Sequence, residues 1–200
     1  MAEIAARSVL NVGGNSKAIP LPPQYAGFEH LLLDIDPTGQ PDVLCDAREL
    51  TTLSAGRFDA VYCSHNLEHY HAHEVSRVLA GFLHVLKEGG FAHIRVPDLQ
   101  AVMRQAIERN LDVEDVLYQS AVGPIRVLDV IYGHGPQIER SGQDFFAHKT
   151  GFSRNTLHAA LLRAGFGPVY SGTGNLEVTA VAFKGHADPD ALARFNLQPA

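Results

Sequence analysis

The chain has 200 residues, a formal net charge of -6, 46% hydrophobic and 19% charged residues. That length suits one domain with a full core and excludes two large ones. Lys and Arg are scattered without a basic run, so neither a nucleic-acid nor an anionic-membrane partner is expected. Two cysteines, Cys45 and Cys63, sit in or beside apolar runs and read as reduced thiols packed in a core. No apolar stretch approaches the ~20 residues that span a bilayer. Met1–Leu10 lacks a basic segment leading into a long apolar run, so no signal peptide and a cytoplasmic location are expected.

Short apolar runs alternate with helical patterns. Ser8–Val12 reads as a buried strand that enters a turn at Gly13-Gly14. Ile19–Tyr25 holds three prolines, so the first crossover is expected to be largely non-helical. His30–Ile35, Asp42–Cys45 and Phe58–Cys63 read as strands two to four. Glu74–Leu86 places Val75, Val78, Leu79, Phe82 and Leu86 on one helical face, and Gly89-Gly90 is its expected stop. Gly90–Val96 is a fifth strand, closed by Pro97. Ser153–Ala164 is a helix with Ser153 as its cap, and Pro168–Ser171 and Glu177–Phe183 are strands six and seven. From about Gln100 to Thr150, before the sixth strand, lies an insertion with one helix at its start. Its Gly123-Pro124 and Tyr132–Pro136 suit turns and hinges. Strands alternating with helices imply an α/β fold, a mostly parallel sheet that binds ligands where the strands end.

Several motifs fall at that edge. Gly13, Gly14 and Asn15 form a turn that lets backbone approach a ligand closely, or simply a turn. Asp34 and Asp36 stand about 20 residues beyond the glycines, where a carboxylate accepts ribose hydroxyls in dinucleotide folds. Asp-Pro turn chemistry is the plainer alternative. Asp46 with Ala47 could meet an exocyclic adenine amine or cap the following turn. Ser64 to His73 carries four histidines and a glutamate. His65, Glu68 and His69 have the spacing of inverted zinc proteases and, on a helix, would share one face able to hold an ion. A protease needs a long helix there, whereas this motif follows a strand. His71 and His73 read as solvated turn residues. His148-Lys149 faces a pocket or is plain loop.

In order, the segments LNVGG (Leu10–Gly14), LLLDIDP (Leu31–Pro37), PDVLCDAREL (Pro41–Leu50), FDAVYCSHNLEHY (Phe58–Tyr70), VLKEGGFAHIRVPDL (Val85–Leu99), HKTGFS (His148–Ser153) and LLRAGF (Leu161–Phe166) resemble class I S-adenosylmethionine (SAM)-dependent methyltransferases. More narrowly they resemble the bacterial methyltransferase type 11-like group, whose members accompany glycan or natural-product genes. The resemblance implies a Rossmann-like seven-stranded sheet of order 3-2-1-4-5-7-6, helices on both faces and the last strand antiparallel. It implies one methyltransferase-like domain over 1–200, with 103–145 forming a lid over the acceptor. It places Gly13 and Gly14 beside the methionine part of SAM and Asp34 at the ribose, with Asn15 and Asp36 next to them as further cofactor-binding candidates. It places Asp46 and Ala47 at the adenine, and Ser64 with His65 near the sulfonium. The family's loop usually reads Asp-x-Gly-x-Gly-x-Gly. Here those positions hold Asn11, Gly13, Asn15 and Lys17, so one of three glycines survives and a long cation stands at a close approach. Some methyltransferases carry E-x-x-E-H where this chain has His65, Glu68 and His69, and bind a divalent cation. A metal is the lesser expectation.

The function expected is methyl transfer from SAM to a small molecule or glycan intermediate, with His65, His69 and His148 as candidate bases because imidazole titrates near neutrality. Two alternatives remain: a repurposed methyltransferase fold with weakened SAM binding, and a metal-dependent enzyme built on His65, Glu68 and His69.

Overall fold

A computed structural model describes residues 6–121 and 123–199. Met1–Ala5, on which half of the signal-peptide reading rests, lies outside the described residues, as do Val122 and Ala200. Seven strands form one sheet: β1 (Ser8–Val12), β2 (Glu29–Asp34), β3 (Val43–Leu44), β4 (Phe58–Ser64), β5 (Leu86–Pro97), and two late strands, β8 (Val169–Gly174) and β9 (Glu177–Phe183). Their order is β3-β2-β1-β4-β5-β9-β8. Numbered within the sheet alone, this is the expected 3-2-1-4-5-7-6. β1 to β5 run parallel, and β9 is antiparallel to both its neighbours.

The two faces are covered unequally. On one face α1 (Val75–Val85) and α5 (Arg154–Arg163) pack Val78, Leu79, Phe82, Leu157 and Leu161 onto Leu10, Val61 and Ile94. Ser153 caps α5, accepting from the Thr156 N–H while Thr156 reciprocates. On the other face Tyr25, Tyr62, Phe91 and Phe183 are covered by the short α6 (Pro189–Arg194) with Phe195 and Leu197 after it, and by the Pro-rich segment around Leu21 and Phe28. That segment forms one 3-10 turn, Pro23–Tyr25, as its prolines require. At the centre of this layer Tyr25 OH meets His93 Nδ1 at 3.2 Å.

Two expectations need correction. α1 stops at Val85, not at Gly89-Gly90, because Leu86 is already drawn into β5 opposite Phe58. Sheet pairing outcompetes helix propagation there. The insertion is also more regular than turns and hinges. It comprises α2 (Leu99–Glu108), a hairpin of β6 (Val116–Ser120) and β7 (Gly123–Arg126), α3 (Val127–Tyr132) and α4 (Gly135–Ser141). Val102, Leu117, Ile125, Val127 and Val130 give it a small core of its own. Its ends meet: Asp98 bridges Phe152, and the Leu99 N–H donates to Phe152 O at 3.0 Å.

Candidate functional site

The C-terminal ends of β1, β2 and β4 open into a cleft of about 410 Å³. Gly13 turns at its base with φ +70°, and a Cβ there would lie 2.1 Å from the Asn66 side chain. Only glycine fits. Asn15 takes the left-handed conformation (φ 62°) that aims its N–H at Asp34 Oδ2, 2.9 Å away. The Asp36 N–H donates to Asp34 Oδ1 at 3.0 Å. Each Asp34 oxygen thus accepts one backbone donor and keeps a lone pair for a ligand. Ile35 stands 43% exposed beside it at the cleft wall.

Lys17 does not obstruct this loop. Its Nζ pairs with Asp42 at 2.7 Å, outside the residues lining the cleft, while Asp42 also accepts the Leu32 N–H. The long cation is a strut between loop and β2, which corrects its reading as an intrusion at a close approach.

At the far wall Asp46 accepts the Arg48 backbone N–H at 2.9 Å and grips the Arg48 guanidinium with both oxygens. Arg48 also reaches Glu74. Burial raises the Asp46 carboxyl, but the Arg48 contacts outweigh it and hold the group below its ordinary value. Much of the Asp46 acceptor capacity is therefore already engaged. Asn66 lines the same cleft, and its buried amide oxygen has no hydrogen-bond partner among the described residues. From the insertion Phe145, Phe146 and Lys149 close the rim, with Lys149 paired to Asp144 at 2.6 Å.

A second hollow of about 270 Å³ lies on the insertion side, lined among others by Tyr118, Ile125, His134, His148 and Leu176. His65 lines both spaces. It leaves β4 in a left-handed conformation (φ 50°), so His65 and Glu68 do not share a helix face. Only a single 3-10 turn, Leu67–His69, follows. His65 Nε2 lies 2.7 Å from Glu177 and Nδ1 3.4 Å from Glu68. Burial opposes its charge, but the hydrogen bond with Glu177 and the nearby Glu68 carboxylate outweigh that and push the imidazole up to about 9. A basicity raised that far favours the charged form at neutral pH, and with Nε2 bound to Glu177 His65 is less suited to act as a general base than as a charged partner of the two carboxylates.

His148 has the opposite character. Burial lowers its basicity, and its Nδ1 faces Val130 O at 2.9 Å, which fixes the Nδ1–H tautomer and leaves Nε2 with a lone pair. His69 stands beside it, ring centroids 4.9 Å apart, its two nitrogens each 3.1 Å from a carbonyl oxygen, Ala147 O and His65 O. Glu68 is 1% exposed, and neither carboxylate oxygen has a hydrogen-bond partner among the described residues.

Of the residues singled out by sequence, Gly13, Asn15, Asp34, Asp36, Asp46, His65 and His69 line the main cleft, and His148 lines the second. Gly14, Ala47 and Ser64 line neither. Gly14 packs over Asn11, Ala47 is buried under α1, and Ser64 pairs with Arg95 in the sheet. Ile35, Arg48, Asn66, Tyr70 and Phe146 were missed. Ile35 alone carried a signal, as an apolar residue beside a strand-end carboxylate.

Residues 20–94 match the family model described as methyltransferase domain. No curated protein is similar in sequence. Among solved structures, a SAM-dependent methyltransferase from Archaeoglobus fulgidus is 17% identical, with a TM-score of 0.57 over 90% of this chain and 87% of that one. The 1,6-didemethyltoxoflavin-N1-methyltransferase of Burkholderia thailandensis, with bound 1,6-didemethyltoxoflavin and S-adenosylhomocysteine (SAH), is 17% identical, with a TM-score of 0.53 over 90% of this chain and 72% of that one. Human N-acetylserotonin methyltransferase with SAM is 14% identical, with a TM-score of 0.56 over 90% and 48%. The sheet order and these likenesses give the chain the fold of class I SAM-dependent methyltransferases, and the methyltransferase-domain match covers its first four strands from residue 20 on.

Proposed function

We propose that the chain binds SAM in the main cleft and passes its methyl group to a small-molecule acceptor seated in the second hollow. The observation that carries this is Asp34: a strand-end carboxylate held by two backbone N–H groups, with one lone pair per oxygen left for ribose hydroxyls. The rest of the cleft suits the cofactor. Gly13 makes the close approach, the orphaned Asn66 oxygen can accept from an ammonium, and Ile35 offers an apolar face to adenine. SAM supplies a methyl group on a cationic sulfur. The protein's part is to hold acceptor and donor collinear, exclude water and take up a proton if the acceptor is a hydroxyl. His69 and His148, at the junction of the two spaces, are the groups placed for that. The insertion, 103–145, acts as the acceptor-side lid.

Calorimetry with SAM and SAH tests the reading. Affinity in the micromolar range, about -7 to -8 kcal/mol, is expected. Asp34→Ala should weaken it more than tenfold by unpairing the ribose. Unchanged affinity in that variant removes the ribose assignment. One observation favours a repurposed fold with weakened SAM binding: Asp46 is gripped by Arg48, so adenine must share it. No binding by the folded wild-type chain would select that second reading.

A further inference from the structure

Among the described residues, none makes a hydrogen bond to the buried carboxylate of Glu68. Leaving an ionised carboxylate unsatisfied in a protein interior is costly, so such a group calls for a cation. His65 is one cation beside it, but its Nδ1 stays 3.4 Å away without a hydrogen bond and its charge is shared with Glu177, so the Glu68 oxygens keep capacity for a second cation. On the other side stand His69 and His148. One ligand atom from each of Glu68, His69 and His148 lies within 4.8 Å of the others.

We propose that Glu68, His69 and His148 bind a divalent transition-metal ion at the junction of the two clefts. The site rests on the functional reading above only for its role, since ion binding itself needs no SAM. The donor set is two imidazoles and one carboxylate, which suits zinc, iron or manganese better than magnesium. His148 is pre-set as a ligand: Nδ1 is anchored on Val130 O, and Nε2 is free. A backbone carbonyl behind a ligating histidine is the usual orienting support. His69 has two carbonyl contacts. Ligation through one nitrogen releases one of them and keeps the other as its anchor. Bonds of about 2.1 Å need ligand atoms about 3.4 Å apart in a tetrahedral set, so the three side chains close by roughly an ångström on binding. Three protein ligands leave a position for an acceptor oxygen, so the acceptor class this site favours carries a hydroxyl.

The set differs from the one the spacing His65-x-x-Glu68-His69 predicts. The turn at His65 breaks the helical register, and its Nε2 is bound to Glu177. Its place is taken by His148, 79 positions beyond His69.

The test is titration of tag-free, chelator-treated protein with Zn²⁺ and with Mn²⁺, without SAM. Calorimetry follows both ions and electron paramagnetic resonance follows Mn²⁺. One ion per chain is expected, with nitrogen couplings on bound Mn²⁺. Glu68→Gln and His148→Ala should each weaken binding at least tenfold. His65→Ala and the double variant His71→Ala/His73→Ala should change it less than threefold. Circular dichroism checks each fold, and His148→Gln substitutes if His148→Ala does not fold. No ion on the folded wild-type chain overturns the site. So does binding that survives in Glu68→Gln and His148→Gln, or that is lost with His65 or with His71 and His73. SAH affinity, measured separately, tells failure of this site from failure of the cofactor assignment.

Discussion

Lys17 shows how little a residue's type says about its direction. At a position where the family keeps glycine, a lysine reads as an obstacle. The side chain instead spans to Asp42, an exposed pair 2.7 Å long that ties the loop to β2. Exposed pairs contribute about 0–1 kcal/mol. Lys17→Ala should therefore lower the melting temperature by no more than a few degrees and leave SAH affinity within twofold. A tenfold loss in calorimetry would make Lys17 a ligand contact. Asp34 was legible because its place at a strand end follows from the hydrophobic run before it. The partnership of Glu68 with His148 was not. It depends on a return of the chain 80 positions later, and no local pattern encodes that. The protonation of His65 was hidden for the same reason, since Glu177 arrives from β9.

Among elements, those set by strong local periodicity were read nearly to the residue. Ser8–Val12 and Glu177–Phe183 coincide with β1 and β9, and Ser153 is the cap of α5. The boundary between α1 and β5 was not, because pairing with β4 decides it. The insertion was underestimated, since its core of five buried residues needs a hairpin and two helices brought together. That core is far smaller than the one beneath α1 and α5. Hydrogen exchange should find residues 103–145 less protected than Val9–Val12 and Val61–Cys63, as a lid requires. Equal protection across all three would count against the lid.

For the whole molecule, the unequal cover of the two sheet faces sets the response to acid. His93 is 5% exposed in the thinly covered layer. Burial, reinforced by the Arg95 charge, pushes its imidazole down to about 3. An unfolded histidine titrates near 6.5. Between these values the unfolded chain binds the extra proton, so stability falls as pH drops below about 6.5 and goes on falling toward 3. Each pH unit in that window removes up to about 1.4 kcal/mol. His93→Gln keeps an acceptor for Tyr25 and cannot be protonated, so its melting temperature should decline less between pH 7 and 5 than that of the wild type. Parallel declines would place the acid sensitivity elsewhere. The described residues include no helix long and apolar enough to cross a membrane.

The meeting of Asp98 with Phe152 has an evolutionary consequence. The chain departs from the sheet and returns to it at one point, where Leu99 N–H donates to Phe152 O. The span between behaves as a closed loop whose length is decoupled from sheet geometry, and each doubling of such a loop costs only about 0.6 kcal/mol. Segments of other lengths can be exchanged at this neck while Gly13, Asn15 and Asp34 stay where β1 and β2 hold them. The insertion can thus change length and shape while the cleft at the ends of β1 and β2 is kept by its own packing.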